Sequence, residues 1–240
     1  MRDDIGGIAY DLDGTFYPNY RLNRALIPFF LKEWPFLLAF GRARSIIRAA
    51  QERGVPGPEL PPLPDAAPNS GPDFYDVQAR LAARILRADP AAVKKKAAIL
   101  IYRGWEPHFR KITLFPGVAE TLAAIRAAGC RQGLLSDFPP ERKLEYLGLR
   151  DCWDAILCSE RTGRLKPDPL PFQKMAEALG LPPERILYVG NSRRYDMAGA
   201  KRAGMKTALI SFFPFFQGRS RGSADFIFHD YRQLLKYVVT

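Results

Sequence analysis

IGGIAYDLDGT, residues 5–15, is an apolar run that halts on two carboxylates, Asp11 and Asp13, a glycine, Gly14, and a hydroxyl, Thr15. A short apolar segment bounded by turn residues reads as a buried strand entering a turn. Two carboxylates one residue apart can both reach one crevice where a chain leaves a strand. Gly14 frees the backbone to turn sharply, and Thr15 supplies a hydroxyl beside the acids. An Asx-type turn would use the same residues, so this stretch takes its meaning from the strand ends that follow.

Working outward towards the C-terminus, regular strand–helix alternation begins after Phe115. Pro116 is expected to open a helix with Val118, Leu122 and Ile125 on one face, closed by Gly129. Strands are expected at Gly133–Leu135, Ala155–Cys158, Ile186–Val189, Thr207–Ile210 and Asp225–Phe228. Helices are expected at 140–147, 170–179 and 195–203 and at the C-terminus. Repeated β-α units predict an α/β fold, a doubly wound, Rossmann-like parallel sheet with helices on both faces. Its ligand site should lie beyond the carboxyl ends of the strands.

Between the first strand and this alternation the pattern is helical. Ile27, Phe30 and Leu31 fall at i, i+3 and i+4, followed by a second apolar cluster after Pro35 and an Arg-rich stretch to Arg53. Residues 54–73 are dense in Pro and Gly with little periodicity, which suits a joint within an insertion. Helical spacing returns at Phe74 with Val77, Leu81 and Ile85 and runs to about Trp105, including Lys94-Lys95-Lys96, read as a solvated face. The expected organisation is a core of residues 1–17 and 114–240, with residues 18–113 as an inserted, mainly α-helical domain.

The 240 residues carry a net charge of +11. Residues 18–115 hold 16 Lys and Arg against 8 Asp and Glu, so most of the excess belongs to the insertion. Such a charge suits nucleic acid, acidic membranes or small anions alike, but the basic residues form no recognised nucleic-acid module. Cys130, Cys152 and Cys158 are odd in number and lack metal spacing, which fits a reducing cytoplasm. The N-terminus has no signal-peptide pattern. The window Ala25–Phe40 is interrupted by Pro28, Lys32, Glu33 and Pro35, so no transmembrane span is expected, though an interfacial helix stays open. His108 and His229 are isolated and suggest neither a triad nor a zinc site. Phe212, Phe213, Phe215 and Phe216 surround Pro214 after a strand, where core filling is the default and an exposed contact patch the alternative.

Three later strand ends give the first one its meaning. Ser136-Asp137 follows one expected strand, Lys166 follows another within GRLKPDP, and Gly190-Asn191-Ser192 follows a third, with Asp196 four residues on. Carboxylates, a hydroxyl, an ammonium and an amide thus gather where a parallel sheet would converge them, an arrangement suited to phosphoryl transfer. Each also has a plainer reading. Ser136 could cap a helix, Lys166 could be a surface loop lysine, Asp196 could complement a helix dipole, and Asp137 could be either cap or functional.

The segments DLDGT (11–15), LLSD (134–137), LKPDP (165–169) and VGNSRRYDMAGAKRAGM (189–205) resemble the four motifs of the haloacid dehalogenase superfamily, in order and at suitable spacing. The resemblance covers residues 5–20 and 113–238, and the insertion is similar in position to a C1-type cap. It implies that Asp11 is a nucleophile forming an aspartyl-phosphate. Asp13 is then the general acid for the leaving alkoxide and the base that activates water. Ser136 and backbone N–H groups around Leu12, Asp13 and Asp137 would hold phosphoryl oxygens, and Lys166 would neutralise them while keeping Asp11 ionised. Asp11, the Asp13 carbonyl, Asn191 and Asp196 would hold Mg²⁺.

One position departs from the family pattern, which usually reads Gly-Asp-Ser/Thr where this chain has Gly190-Asn191-Ser192. An amide ligates without bringing charge, so weaker magnesium binding is expected. Dehalogenases of the superfamily lack the second acid of the first motif, so Asp13 speaks for phosphate chemistry. The function expected is removal of phosphate from a small phosphorylated metabolite. Alternatives are a phosphomutase with the same intermediate and a catalytically weak binding or scaffold protein; nucleic-acid binding is a weaker third. Net positive charge under the cap could gather such a substrate, or be scattered surface charge. Tyr17, Asn19 and Tyr20 lead from the first motif towards the cap and could line its hinge or simply pack.

Overall fold

β1 (Gly7–Tyr10) is buried at every residue because it has a parallel neighbour on each edge and packed side chains on each face. Its neighbours are β2 (Arg131–Ser136) and β4 (Ile186–Gly190). β3 (Ala155–Cys158) extends the sheet beyond β2, and β5 (Lys206–Ile210) and β6 (Phe226–Phe228) extend it beyond β4. The order is β3-β2-β1-β4-β5-β6, with every pair parallel. This computed structural model describes residues 2–54, 73–211 and 224–239.

Alternation along the strands sorts the core into two layers. Ile8, Tyr10, Leu187 and Val189 pack on one side with Val118, Leu122 and Ile125 of α5 (Val118–Ala127) and with Tyr231, Leu234 and Val238 of α9 (Tyr231–Val239). Ala9, Leu135, Ile186 and Tyr188 face the other side, against Phe172, Met175 and Leu179 of α7 (Pro169–Leu179) and Ala200 of α8 (Ala198–Arg202). Register brings Tyr10 beside both Leu134 and Val189. Asp11, Ser136-Asp137 and Gly190-Asn191-Ser192 therefore emerge together along one rim.

The insertion comprises α1 (Asn19–Ala25), α2 (Ile27–Glu52), α3 (Phe74–Leu86), α4 (Pro90–Ala97), a π-helical turn at Ala98–Arg103 and a 3-10 turn at Glu106–Lys111. Phe36, Phe40, Ile47, Leu81, Val93 and Ile101 form a second cluster, which Leu165 and Phe138 of the core join from the loops at the rim. Leu22, Leu26 and Phe109, at the two ends of the insertion, pack instead into the layer beneath the sheet.

Several local expectations change. Pro116 does not open α5; the helix starts at Val118, after Gly117 in the left-handed region. The expected helix 195–203 is a π-helical turn, Arg193–Met197, running into α8, with Ser192 Oγ accepting from Tyr195 N at 3.1 Å. The single helical run expected from Phe74 breaks at left-handed Arg87, and Asp89 caps a new helix on Ala92 N with Pro90 in its first turn.

The apolar face expected from Ile27, Phe30 and Leu31 is divided. Phe30 packs on the core, whereas Ile27 and Leu31 are 49% and 76% exposed. α2 also kinks at Glu33, two residues before Pro35, whose ring cannot continue the regular helical hydrogen bonding. The basic run is solvated as expected, with Lys94 reaching Asp76 at 2.6 Å and Lys96 reaching Glu33 at 2.8 Å. Residues 55–72 of the Pro-rich segment and the Phe212–Phe216 cluster lie outside the described residues. Among those described, no helix is long and apolar enough to cross a membrane.

Candidate active site

Asp11 leaves β1 with its backbone N–H still donating to the Val189 carbonyl at 2.9 Å. The side chain is thereby held at the strand end, between the loops that follow β2 and β4. Lys166 Nζ donates to Asp11 Oδ1 at 2.7 Å, to Asp196 Oδ1 at 2.9 Å and to the Tyr188 hydroxyl at 3.0 Å. Thr15 Oγ1 donates to the second Asp11 oxygen at 2.8 Å, and Ser192 N–H donates to the second Asp196 oxygen at 2.9 Å. Asp11, Thr15, Lys166 and Asp196 are all buried. The plainer reading of Lys166 as a surface lysine does not fit this burial, whereas Asp196 sits in the first turn of a helical segment, as the dipole reading has it, and pairs with Lys166 as well.

Two glycines make the approach possible. Gly14 adopts φ +88, and a side chain there would collide with the amides of Asn191 and Asn19. A Cβ on Gly190 would stand 2.6 Å from Asp196 Cβ, so the strand end and the acid touch directly. Asn191 is thus packed against the first turn at Gly14.

The electrostatics are unbalanced in an informative way. Burial pushes the Asp11 carboxyl up to about 7, Lys166 pulls against that, and Asp196 and Asp13 add like-charge repulsion. Burial opposes the charge on Lys166, but Asp11 and Asp196 outweigh it and hold the ammonium well above its ordinary value. Two buried carboxylates therefore share one cation. A hard divalent ion fits such a surplus. The available donors are the Asp11 and Asp196 carboxylates, the Asn191 amide and the Asp13 carbonyl, all of the oxygen type that magnesium takes. Among the described residues, no three His, Cys, Asp or Glu side chains gather as a ready-made ligand group.

Asp13 has partners of its own. Lys143, from α6 (Glu141–Leu147), places Nζ 2.7 and 2.9 Å from its two oxygens, and the Tyr17 hydroxyl donates to Oδ1. The ammonium also lies over the rings of Phe109 and Phe138, at 5.1 and 5.5 Å from their centroids. Tyr17 thus touches the candidate acid directly, while Tyr20 is largely exposed. Ser136 is buried, and its Oγ accepts from Phe138 N–H at 3.3 Å, a local turn bond and not a cap of α6. Leu12 is buried within the turn, its carbonyl accepting from Thr15 and Phe16 N–H.

Asp137 is turned to a different task. Arg48 Nη2 stands 2.6 Å from its Oδ2 and Arg44 Nη2 stands 3.5 Å away, while Ser159 Oγ and Lys166 N–H donate to Oδ1. Both arginines come from α2. Arg48 Nε also donates to the Lys166 carbonyl at 2.9 Å. Arg44 pairs with buried Glu160, which accepts from Tyr102 at 3.2 Å as well. Burial pushes Asp137 up, but Arg44, Lys166 and Arg48 bring it down to about 2.

Sequence reading missed Lys143, Arg44 and Arg48 as site neighbours. The arginines were legible only as part of a basic stretch, and Lys143 only as one residue of an expected helix. Nothing local marks which cations of a helix turn inward.

A parallel sheet with an acid–lysine–acid cluster at its carboxyl rim, and a helical insertion after the first strand, defines a doubly wound α/β protein with its candidate centre at the strand ends. The chain belongs to the haloacid dehalogenase-like hydrolase family, whose profile matches residues 5–204. It is 29% identical over 217 residues to the glyceraldehyde 3-phosphate phosphatase of Methanopyrus kandleri, covering 86% of this chain and 84% of that one. It is 30% identical to a phosphoglycolate phosphatase of Cereibacter sphaeroides, covering 85% and 84%. Among solved structures, a phosphatase of the same superfamily from Thermococcus onnurineus superposes with a TM-score of 0.63 at 21% identity, over 98% of each chain. The L-2-haloacid dehalogenase of Xanthobacter autotrophicus gives 0.64 at 18%, again over 98% of each. These last two show the fold.

Proposed function

We propose that this chain hydrolyses the phosphate monoester of a small phosphorylated metabolite, with Asp11 as nucleophile. The observation that carries this is Lys166 Nζ, held 2.7 Å from Asp11 and 2.9 Å from Asp196 at the rim of the sheet. The phosphatase relatives, similar over most of their length, support the reaction class.

In the first step an Asp11 oxygen attacks phosphorus while the ester P–O bond breaks, and the leaving oxygen takes a proton from Asp13. In the second step Asp13 accepts a proton from water, whose oxygen attacks phosphorus. The bond to Asp11 breaks, and inorganic phosphate leaves with Asp11 restored as a carboxylate and Asp13 as the protonated acid. Lys166 offsets charge on the phosphoryl oxygens, and Ser136 with the backbone N–H groups of Leu12, Asp13 and Asp137 cradles them. Lys143 and Tyr17 hold Asp13 in place for both transfers. Magnesium, held by Asp11, Asp196, Asn191 and the Asp13 carbonyl, would neutralise the phosphate dianion beside the nucleophile.

Residues 18–113 act in this reading as a cap, clamped over the rim through Arg44 and Arg48 on Asp137 and Glu160. Three free cysteines suit a reducing, cytoplasmic setting. The test is a panel of phosphate esters assayed with magnesium, with EDTA, and with Asp11→Asn. Metal-dependent release of inorganic phosphate, abolished by the substitution, is expected. Products that keep phosphate on carbon would mark a mutase, and no turnover across the panel would overturn the proposal.

A further inference from the structure

The first half of α2 exposes an apolar stripe made of large side chains from both sides of its kink at Glu33. Ile27, Leu31, Trp34 and Leu38 fall at i, i+4, i+7 and i+11 and are 49%, 76%, 59% and 56% exposed. In α1, just before it, Tyr20 is also exposed. Scattered single apolar residues on a surface need no explanation, but a large indole and three aliphatic side chains at helical spacing do.

The charge carried by these two helices narrows what the stripe meets. Arg21, Arg24, Lys32 and Arg42 are exposed on the same two helices. Between Pro18 and Gln51 the only acidic residue is Glu33, and it is taken by Lys96 at 2.8 Å. A second copy docking through this face would set those cations against their own images, which costs affinity. An anionic lipid surface complements them. Trp and Leu at the boundary of headgroup and acyl chain, with Arg and Lys reaching phosphates, is the pattern of a helix lying in a membrane interface.

We propose that α1 and the first half of α2 attach this protein peripherally to anionic membrane surfaces. Attachment does not involve Asp11 or its partners and does not depend on the hydrolytic reading. The stripe rests on the surface, and among the described residues no helix is long and apolar enough to cross it.

The experiment is flotation of the full chain with vesicles of phosphatidylcholine containing phosphatidylglycerol, beside vesicles of phosphatidylcholine alone. Binding to the anionic vesicles only is expected, with release as salt is raised to roughly 0.5 M. Trp34→Ala should weaken partitioning at least about tenfold. Arg21→Gln with Arg24→Gln should weaken it roughly fivefold per arginine. All these positions are exposed, and unchanged melting and circular dichroism establish that the variants are folded. Absence of binding, equal binding to neutral vesicles, or wild-type partitioning by both variants would overturn the proposal. So would a concentration-dependent dimer that Trp34→Ala dissociates, since the stripe would then be covered by a second copy.

Discussion

Replacing Asp137 by Asn removes one charge from the contact between α2 and the sheet and leaves the shape nearly unchanged. Asn can still accept from Ser159 and from Lys166 N–H, so the loss is chiefly the attraction of Arg44 and Arg48. The native carboxyl is brought from the usual 3.8 to about 2 against the opposing effect of burial. At roughly 1.4 kcal/mol for each tenfold in proton affinity, this amounts to about 2 kcal/mol. Because the folded value lies below the unfolded one, that stability is fully present above about pH 4 and is lost as pH falls towards 2. The expected outcome is a melting temperature lower by roughly 4–8 °C at neutral pH. The variant should also show a shallower decline of stability between about pH 4 and 2. Thermal unfolding followed by circular dichroism across that range measures both. A double-mutant cycle with Arg48→Met should give a coupling of roughly 0.5–3 kcal/mol. A melting temperature within about 1 °C of wild type, with an unchanged acid slope, would refute the reasoning that Asp137 clamps the insertion.

Other perturbations separate the remaining roles. Asn191→Asp adds a charged oxygen beside the acid pair and should tighten magnesium binding roughly tenfold in a calorimetric titration; unchanged affinity would show that Asn191 is not near the ion. Lys143→Met removes the ammonium that holds Asp13, and kcat should fall roughly 10–100-fold with little change in KM. A rise in KM alone would place Lys143 in substrate binding instead. Gly14→Ala forces a side chain into positive φ and into the Asn191 and Asn19 amides. It should cost about 1–3 kcal/mol in denaturant unfolding, and a neutral result would mean that the first turn relaxes freely.

The site was legible to the extent that its chemistry is written in short segments at strand ends. DLDGT, Ser136-Asp137, Lys166 and Asp196 could each be read locally, and parallel alternation predicts that strand ends share a rim. Register then makes that rim real, with Tyr10 level with Leu134 and Val189. Lys143 was illegible because its partner Asp13 lies 130 residues away, and a lysine in the first turn of a helix usually faces water. Arg44 and Arg48 were illegible for the same reason, since the charge count of a segment does not say which guanidinium turns inward.

The amino-acid sequence by itself determined the α/β alternation, the insertion after the first strand and the set of polar residues at the strand ends. Each follows from patterns spanning fewer than about 20 residues, where hydrophobic period and turn chemistry act locally. Only the tertiary structure decided that Lys166 joins Asp11 to Asp196, and that Asp137 serves α2. It alone left Leu31 and Trp34 outside while Phe30 packs inside. Burial and ion pairing depend on what a distant segment places opposite a side chain, and that placement exists only once the chain has folded.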